Sequence, residues 1–306
     1  VVVLDCSIDS ADECRRLSQM KSNCRGLSKL LREEEAIKKR DELIRDGYTL
    51  VPGVMKDPFL SELRDWTEAV FDRVEVDPKY RYQGSAVHVS SPRSWPADRE
   101  QTDQAFPDPI MQRISDLPEA KQVCNALMLE GVRSNGSGIL LSKPPFGPPL
   151  YWHQDHMNWN HPESALPWPI KVFLSYYMTD TTAENGCLRV LPGTHVKRIP
   201  LHDFLPNAHE PEIQAIDDLD HPVFQDHPDA VDVPLKAGDL VIADSRMLHA
   251  AHENQTDQRR TLVLLWHDVF PYPSVPSWWE GEVPEEMREG ERVEVERTRW
   301  PGEYLK

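Results

Sequence analysis

The sequence predicts a mainly β protein with flanking helices: an antiparallel barrel or sandwich behind a helix-rich N-terminal part. Three observations predict it. Beyond residue 130 the apolar residues come in short runs, Ile139–Ser142, Val172–Met178, Cys187–Leu191, Val231–Pro234, Gly238–Ala243 and Leu262–Trp266, with Gly and Pro turns between them. The chain holds 27 prolines, a density that suits short strands and ordered loops and opposes a helical bundle. No GxGxxG or GxxxxGK phosphate loop occurs, which argues against a doubly wound parallel sheet.

The elements follow in order. Residues 1–30 form an N-terminal arm or helix: Ser10, Cys14, Leu17 and Met20 fall at helical spacing, and a mobile arm is the alternative. Glu33–Asp46 reads as a helix with a stripe of Ala36, Ile37, Leu43 and Ile44, closed by Gly47 as C-cap. Tyr48–Val51 alternates like a strand and stops at Pro52–Gly53. Asp57–Pro58 opens a second helix, with Leu60, Leu63, Trp66, Ala69, Val70 and Val74 on one face. Residues 75–107 form a long polar loop with aromatics, the pattern of a lid or pocket wall. Pro109–Asp116 and Pro118–Leu129 read as two further helices. The expectation is a single catalytic domain over 31–280, helix-rich from 31 to 130 and β from 131 to 270. An acidic C-terminal extension covers 281–306.

Composition narrows the function classes. With 39% hydrophobic and 28% charged residues the chain is an ordinary soluble mixture, and no apolar run is long enough to span a membrane. Val1–Asp5 is too short and uncharged for a signal peptide. Net charge is −17, which repels nucleic-acid phosphates and anionic lipids. Five cysteines, at 6, 14, 24, 124 and 187, form no CxxC and point to a reducing, cytoplasmic setting.

The chemistry centres on Tyr151-Trp-His-Gln-Asp-His156. On a strand, residues two apart face the same side, so His153 and Asp155 converge. A second imidazole from a distant strand completes a two-histidine, one-carboxylate face. That face suits non-haem Fe(II) and leaves positions open for cosubstrate and oxygen. The HxD triplet alone is weak evidence. The late segment Gly238–Thr261 strengthens it: a strand delivers His249 at its exit, and a second strand starts at Arg259-Arg260 before Leu262-Val-Leu-Leu265. An arginine entering a core strand needs an anion, and the far end of a dicarboxylate matches its planar fork.

These stretches resemble the phytanoyl-CoA dioxygenase family, a branch of the Fe(II)/2-oxoglutarate oxygenases with a double-stranded β-helix (jelly-roll, cupin-like) core. The resemblance runs from about Arg40 to Val269. It rests on Lys143-Pro-Pro, Trp152-His-Gln-Asp, Glu184-Asn-Gly-Cys-Leu-Arg-Val-Leu-Pro-Gly-Thr-His195 and the Gly238…His249…Arg260 run. It implies that His153, Asp155 and His249 bind Fe(II). It implies that Arg260, eleven residues past the last ligand, binds the C5 carboxylate of 2-oxoglutarate, with Arg259 as the alternative. Neighbouring strand residues face opposite ways, so only one of the two arginines enters the pocket. Similar halogenases carry Gly or Ala where this chain keeps Asp155, so the resemblance implies hydroxylation of an unactivated carbon, with 2-oxoglutarate and O2 as cosubstrates and succinate and CO2 released. Desaturation, epoxidation, endoperoxide formation and rearrangement share the oxidant.

Other residues have two readings each. Lys143 either reaches the cosubstrate carboxylate or closes its strand as a surface lysine. His156 either touches substrate or cosubstrate, or sits on the rim. His252 belongs to a turn and His195 packs in one; neither is expected to ligate. Asn185–Gly186 makes a tight turn between two strands, and Asp244 and Arg246 hold the strand and loop near His249. Trp159, Tyr82 and Trp95 are the candidate substrate walls. Trp266 and Phe173 read as core, and Cys187 as a small buried hydrophobe. The expected partner is a small or medium, partly apolar metabolite such as a terpenoid, polyketide or amino-acid derivative, taken by a monomer or homodimer that binds neither nucleic acid nor membrane. Acyl-CoA is possible within the family, though the net charge disfavours a polyanion. Competing classes are a non-catalytic cupin-like binding barrel and a zinc hydrolase on the same ligands.

Overall fold

A computed structural model describes residues 31–73, 86–90, 106, 108–156, 162–205, 216 and 218–283, with the backbone alone at 86–90. The expected arm at 1–30, the candidate walls Tyr82, Trp95 and Trp159, and most of the acidic extension lie outside the described residues.

Two antiparallel sheets form the body. The larger has the order β1 (Tyr48–Val51), β8 (Leu240–Asp244), β5 (Lys171–Tyr177), β10 (Arg260–Asp268), β3 (Arg133–Lys143), β2 (Ala86–Ser90). The smaller has the order β4 (Leu150–His153), β9 (His249–Ala251), β6 (Leu188–Val190), β7 (Val231–Val233). Among the described residues four α-helices accompany them: α1 (Glu33–Asp46), α2 (Phe59–Arg73), α3 (Pro109–Ser115) and α4 (Pro118–Ala126). This is the jelly-roll architecture that the resemblance implied.

The larger sheet is covered on both faces, so its central strands are almost wholly apolar. One face packs against the helices through Leu174, Tyr176, Leu240, Ile242, Val263 and Leu265. The alternate residues Phe173, Tyr177, Val241, Ala243 and Leu262 face inward and meet Leu188, Val190 and Val233 of the smaller sheet. The smaller sheet's outer face is sealed by Tyr151, Trp152, Leu191, Leu201 and Val223. The helix-rich part is not a separate body, because β1 pairs with β8 and β2 with β3.

The joint between α1 and β1 turns on Gly47. Its φ is 85°, and its N–H closes the helix onto the Leu43 carbonyl at 3.0 Å. A Cβ there would lie 2.7 Å from Nδ1 of His195, whose Nε2 donates to the Ile44 carbonyl.

Three expectations change. The run Ile139–Ser142 is only the apolar end of β3, which begins at Arg133; the stretch Ser134-Asn-Gly-Ser-Gly138 hides the strand in sequence, while pairing with β10 and β2 forms it. Asn185–Gly186 does not join two paired strands: β5 and β6 belong to different sheets, and Asn185 braces a crossing loop by accepting from Thr182 N–H and donating to the Asp180 carbonyl. The helices read as 109–116 and 118–129 end at Ser115 and Ala126. Among the described residues no helix is long and apolar enough to cross a membrane.

Candidate active site

The smaller sheet carries the candidate metal ligands. β4 and β9 are neighbours, and His153 and His249 are direct cross-strand partners with ring centroids 4.1 Å apart. Each ring is locked the same way. Nδ1 of His153 lies 2.9 Å from the Tyr151 carbonyl, and Nδ1 of His249 lies 3.0 Å from the Met247 carbonyl. A carbonyl only accepts, so Nδ1 carries a proton in both rings, which leaves Nε2 as the atom turned toward the hollow. Burial, with His153 adding to it, pulls His249 down to about 4 against the opposing pull of Asp155. The ring is therefore neutral at physiological pH, the state a metal ligand needs.

Asp155 completes the set by a route the alternation argument did not foresee. β4 ends at His153, so Asp155 lies in a bend and no pleat orients it. The bend is held by the His156 N–H on the Ser245 carbonyl (2.9 Å) and by Gln154 Nε2 on the Arg246 carbonyl. Asp155 Oδ1 then lies 3.5 Å from His153 Nε2 and 3.6 Å from His249 Nε2, and the carboxylate is buried. These three ligand atoms gather around one point, within 4.8 Å of one another. Two imidazoles and one carboxylate on one side fit an Fe(II) ion with its opposite side open.

That point opens into a narrow hollow between the sheets. Its walls are mostly apolar (Leu141, Leu150, Phe173, Leu188, Leu262, Leu264), and its polar lining beyond the ligands is Ser175, Tyr177 and Arg260. Arg260 opens β10 on the inward face, and its buried Nε has no hydrogen-bond partner among the described residues. Burial pulls its guanidinium below the ordinary value, with Tyr177 and Cys187 opposing. A buried cation with an unmet donor facing a hollow has the chemistry to receive an anion. Arg259 points the other way and binds Glu68 (2.9 Å) and Asp72 (3.3 Å) on α2.

Lys143 stands opposite Arg260 in the β3–β10 register. It is not the surface lysine of one reading: it is 1% exposed, and its ammonium donates to the carbonyls of Pro148 and His252. Burial first, then Arg260, holds it well below its ordinary pKa. Gly186 makes room for it, since a Cβ there would lie 2.8 Å from the lysine Cδ. Lys143 is not among the residues that line the hollow. Neither is His156, whose ring lies 3.8 Å from Glu163. His252 bonds Asp232 at 2.8 Å; it forms a second cluster with Cys187, but Asp232 is also held by Arg189 at 3.2 Å. Asp244 and Arg246 act as expected. The Arg246 guanidinium binds the Asp244 carboxylate and the carbonyls of Glu163, Ser164, Leu166 and Trp168, tying that loop to the turn before His249.

Two residues read as core do pack in it, and they also line the site. Phe173 lies 5.0 Å, ring to ring, from His249. Trp266 lines the hollow and donates its indole N–H to Asp155 Oδ2 at 2.9 Å. Only the even numbering shared with Arg260, Leu262 and Leu264 marked Trp266 as inward-facing.

Fold and site together define the jelly-roll class with a two-histidine, one-carboxylate face and a buried arginine in the same hollow. Within that class the chain belongs to the phytanoyl-CoA dioxygenase family, whose profile matches residues 43–262. An ectoine dioxygenase of Nocardia farcinica is 31% identical over 125 residues; the match spans 39% of this chain and 42% of that protein, under half its length. An L-proline trans-4-hydroxylase of Streptomyces griseoviridis is 23% identical over 238 residues, or 73% of this chain and 83% of that protein. The structure of HygX from Streptomyces hygroscopicus, with nickel, 2-oxoglutarate and hygromycin B bound, shares the fold at a TM-score of 0.54 and 17% identity, covering 77% of this chain and 87% of that one.

Proposed function

We propose that the protein is an Fe(II)- and 2-oxoglutarate-dependent dioxygenase. It oxidises, and in the first instance hydroxylates, an unactivated carbon of a small or medium, partly apolar metabolite, with release of succinate and CO2. The observation that carries this reading is one hollow holding both the His153–Asp155–His249 set and the unmet guanidinium of Arg260. When bound, the iron supplies the oxidising chemistry; the chain supplies placement. His153 and His249 present their Nε2 atoms, and Asp155 adds one negative charge. Arg260 grips the distal carboxylate of the diacid by charge-assisted hydrogen bonds. Lys143 supports that end of the site from behind, across from Arg260 and tied to the carbonyls of Pro148 and His252. The apolar walls exclude water and receive hydrocarbon.

A cupin-like binding barrel needs no such paired arrangement, and a zinc hydrolase has no use for Arg260. Acyl-CoA is a weaker substrate reading, since a chain of net charge −17 repels its phosphates. Trp159, Tyr82 and Trp95 remain the proposed substrate walls, with His156 on the rim, on the sequence grounds given above. The protein is proposed to work in the cytoplasm as a monomer or homodimer.

The test is anaerobic titration with Fe(II) and then 2-oxoglutarate, followed by a screen for succinate release across candidate metabolites. The reading expects a weak visible charge-transfer band, absent in His249→Ala. A chain that binds Fe(II) but develops no band with 2-oxoglutarate, and releases no succinate, overturns it.

A further inference from the structure

We infer that Trp266 is a positioning residue that makes Asp155 a one-oxygen ligand. The inference rests on the proposed oxygenase function and adds a role for a residue outside the ligand set.

The two oxygens of Asp155 face different partners. Oδ1 looks toward both imidazoles, at 3.5 and 3.6 Å from their Nε2 atoms. Oδ2 receives the indole N–H of Trp266 at 2.9 Å, a full-strength hydrogen bond. The last cross-strand pair of β4 is His153 with His249, so the carboxylate lies past the ladder, in a bend. Trp266, by contrast, sits inside β10, paired to Phe173 of β5, and its direction is fixed by the sheet. A rigid element thus aims a group carried by a less regular one.

The chemical consequence is a coordination count. A carboxylate bound through both oxygens, with two imidazoles, would fill four of the six positions of an octahedral ion. Bound through one oxygen it leaves three free: two for a chelating keto acid and one for dioxygen. An indole N–H suits this task. It is donor-only, so it satisfies Oδ2 without offering a competing ligand atom. It is also neutral, so it leaves the carboxylate its charge.

The test is Trp266→Phe, which keeps an aromatic wall and removes the donor. Circular dichroism confirms folding. Co(II) and Fe(II) affinity and the anaerobic 2-oxoglutarate titration are the readouts, and neither requires turnover. The expected result is a change in metal affinity on the order of 10-fold or more, the usual scale for losing an outer partner of a ligand. The midpoint for the 2-oxoglutarate band should also move to higher concentration. Trp266→His, which retains a ring N–H, should recover part of both. If folded Trp266→Phe matches the wild type within about twofold in both titrations, the inference is wrong, while the wild-type band would still uphold the oxygenase reading. If the wild type gives no band, it is the oxygenase reading that fails. X-ray absorption of the Co(II) proteins adds a further readout: one carboxylate oxygen at bonding distance in the wild type but two in Trp266→Phe supports the inference, and the same count in both overturns it.

Discussion

At the scale of single residues, Arg259 and Arg260 show how much one position decides. They are chemically identical, yet one ion-pairs with helix α2 on the outside and the other is buried in the hollow with an unmet Nε. Arg260→Ala should weaken 2-oxoglutarate by roughly 2–5 kcal/mol, the usual effect of truncating a buried hydrogen-bonded charge partner. Metal affinity should stay near the wild-type value, and isothermal titration with each ligand would show the split. Arg259→Ala should leave both titrations unchanged and alter stability by no more than about 1 kcal/mol, since exposed ion pairs contribute little. The candidate cluster was readable because HxD, a late histidine and an arginine at the mouth of a strand are chemically odd where they stand, and the family resemblance joined them into one proposed set. Trp266 was not readable. An indole inside an apolar strand reads as core, and its acceptor lies 111 positions away.

Among the elements, those with a strong period were legible and those shaped by tertiary pairing were not. The stripe of α1 and the glycine that ends it could be read directly. β3 could not, because its first half is Gly, Ser and Asn and only its neighbours make it a strand. The end of β4 was also hidden, which is why Asp155 was assigned to a pleat it does not occupy. Gly47→Ala tests the α1–β1 joint. A non-glycine residue in the left-handed region costs about 1–2 kcal/mol, and the crowding of His195 should add to it. Urea unfolding should show the lost stability, with the metal affinity of the folded fraction unchanged.

For the molecule as a whole, the buried Asp244–Arg246 unit links the larger sheet, the 163–168 loop and the approach to His249. Burial alone would raise the Asp244 carboxyl, but Arg246 overrides it and holds the group below the usual carboxylate range. A depressed folded value stabilises the native state above the unfolded pKa of about 3.9 and loses that contribution as pH falls toward the folded one. Asp244→Asn leaves Arg246 buried without its counter-charge and should destabilise by about 3–5 kcal/mol. That difference should be constant from neutral pH to about pH 5 and shrink below about pH 4. Chemical denaturation of both proteins across that range would show it; a gap that persists unchanged into acid would contradict the assignment. An antiparallel barrel or sandwich was legible from short strands and Gly and Pro turns; its jelly-roll form followed only from the family resemblance. The order of strands in the two sheets was not, since it is set by long-range pairing that leaves no local mark.

The proposed active site also straddles the seam of the molecule. Its imidazoles hang from the smaller sheet, whereas Arg260 and Trp266 come from the larger one. Metal and diacid together would therefore act as a clasp between the halves of the roll. By mass action a ligand at 100 times its dissociation constant adds about 2.7 kcal/mol to the native state. Thermal melts should accordingly rise further with both ligands than with either alone. Arg260→Ala should lose the increment due to 2-oxoglutarate and keep that of the metal.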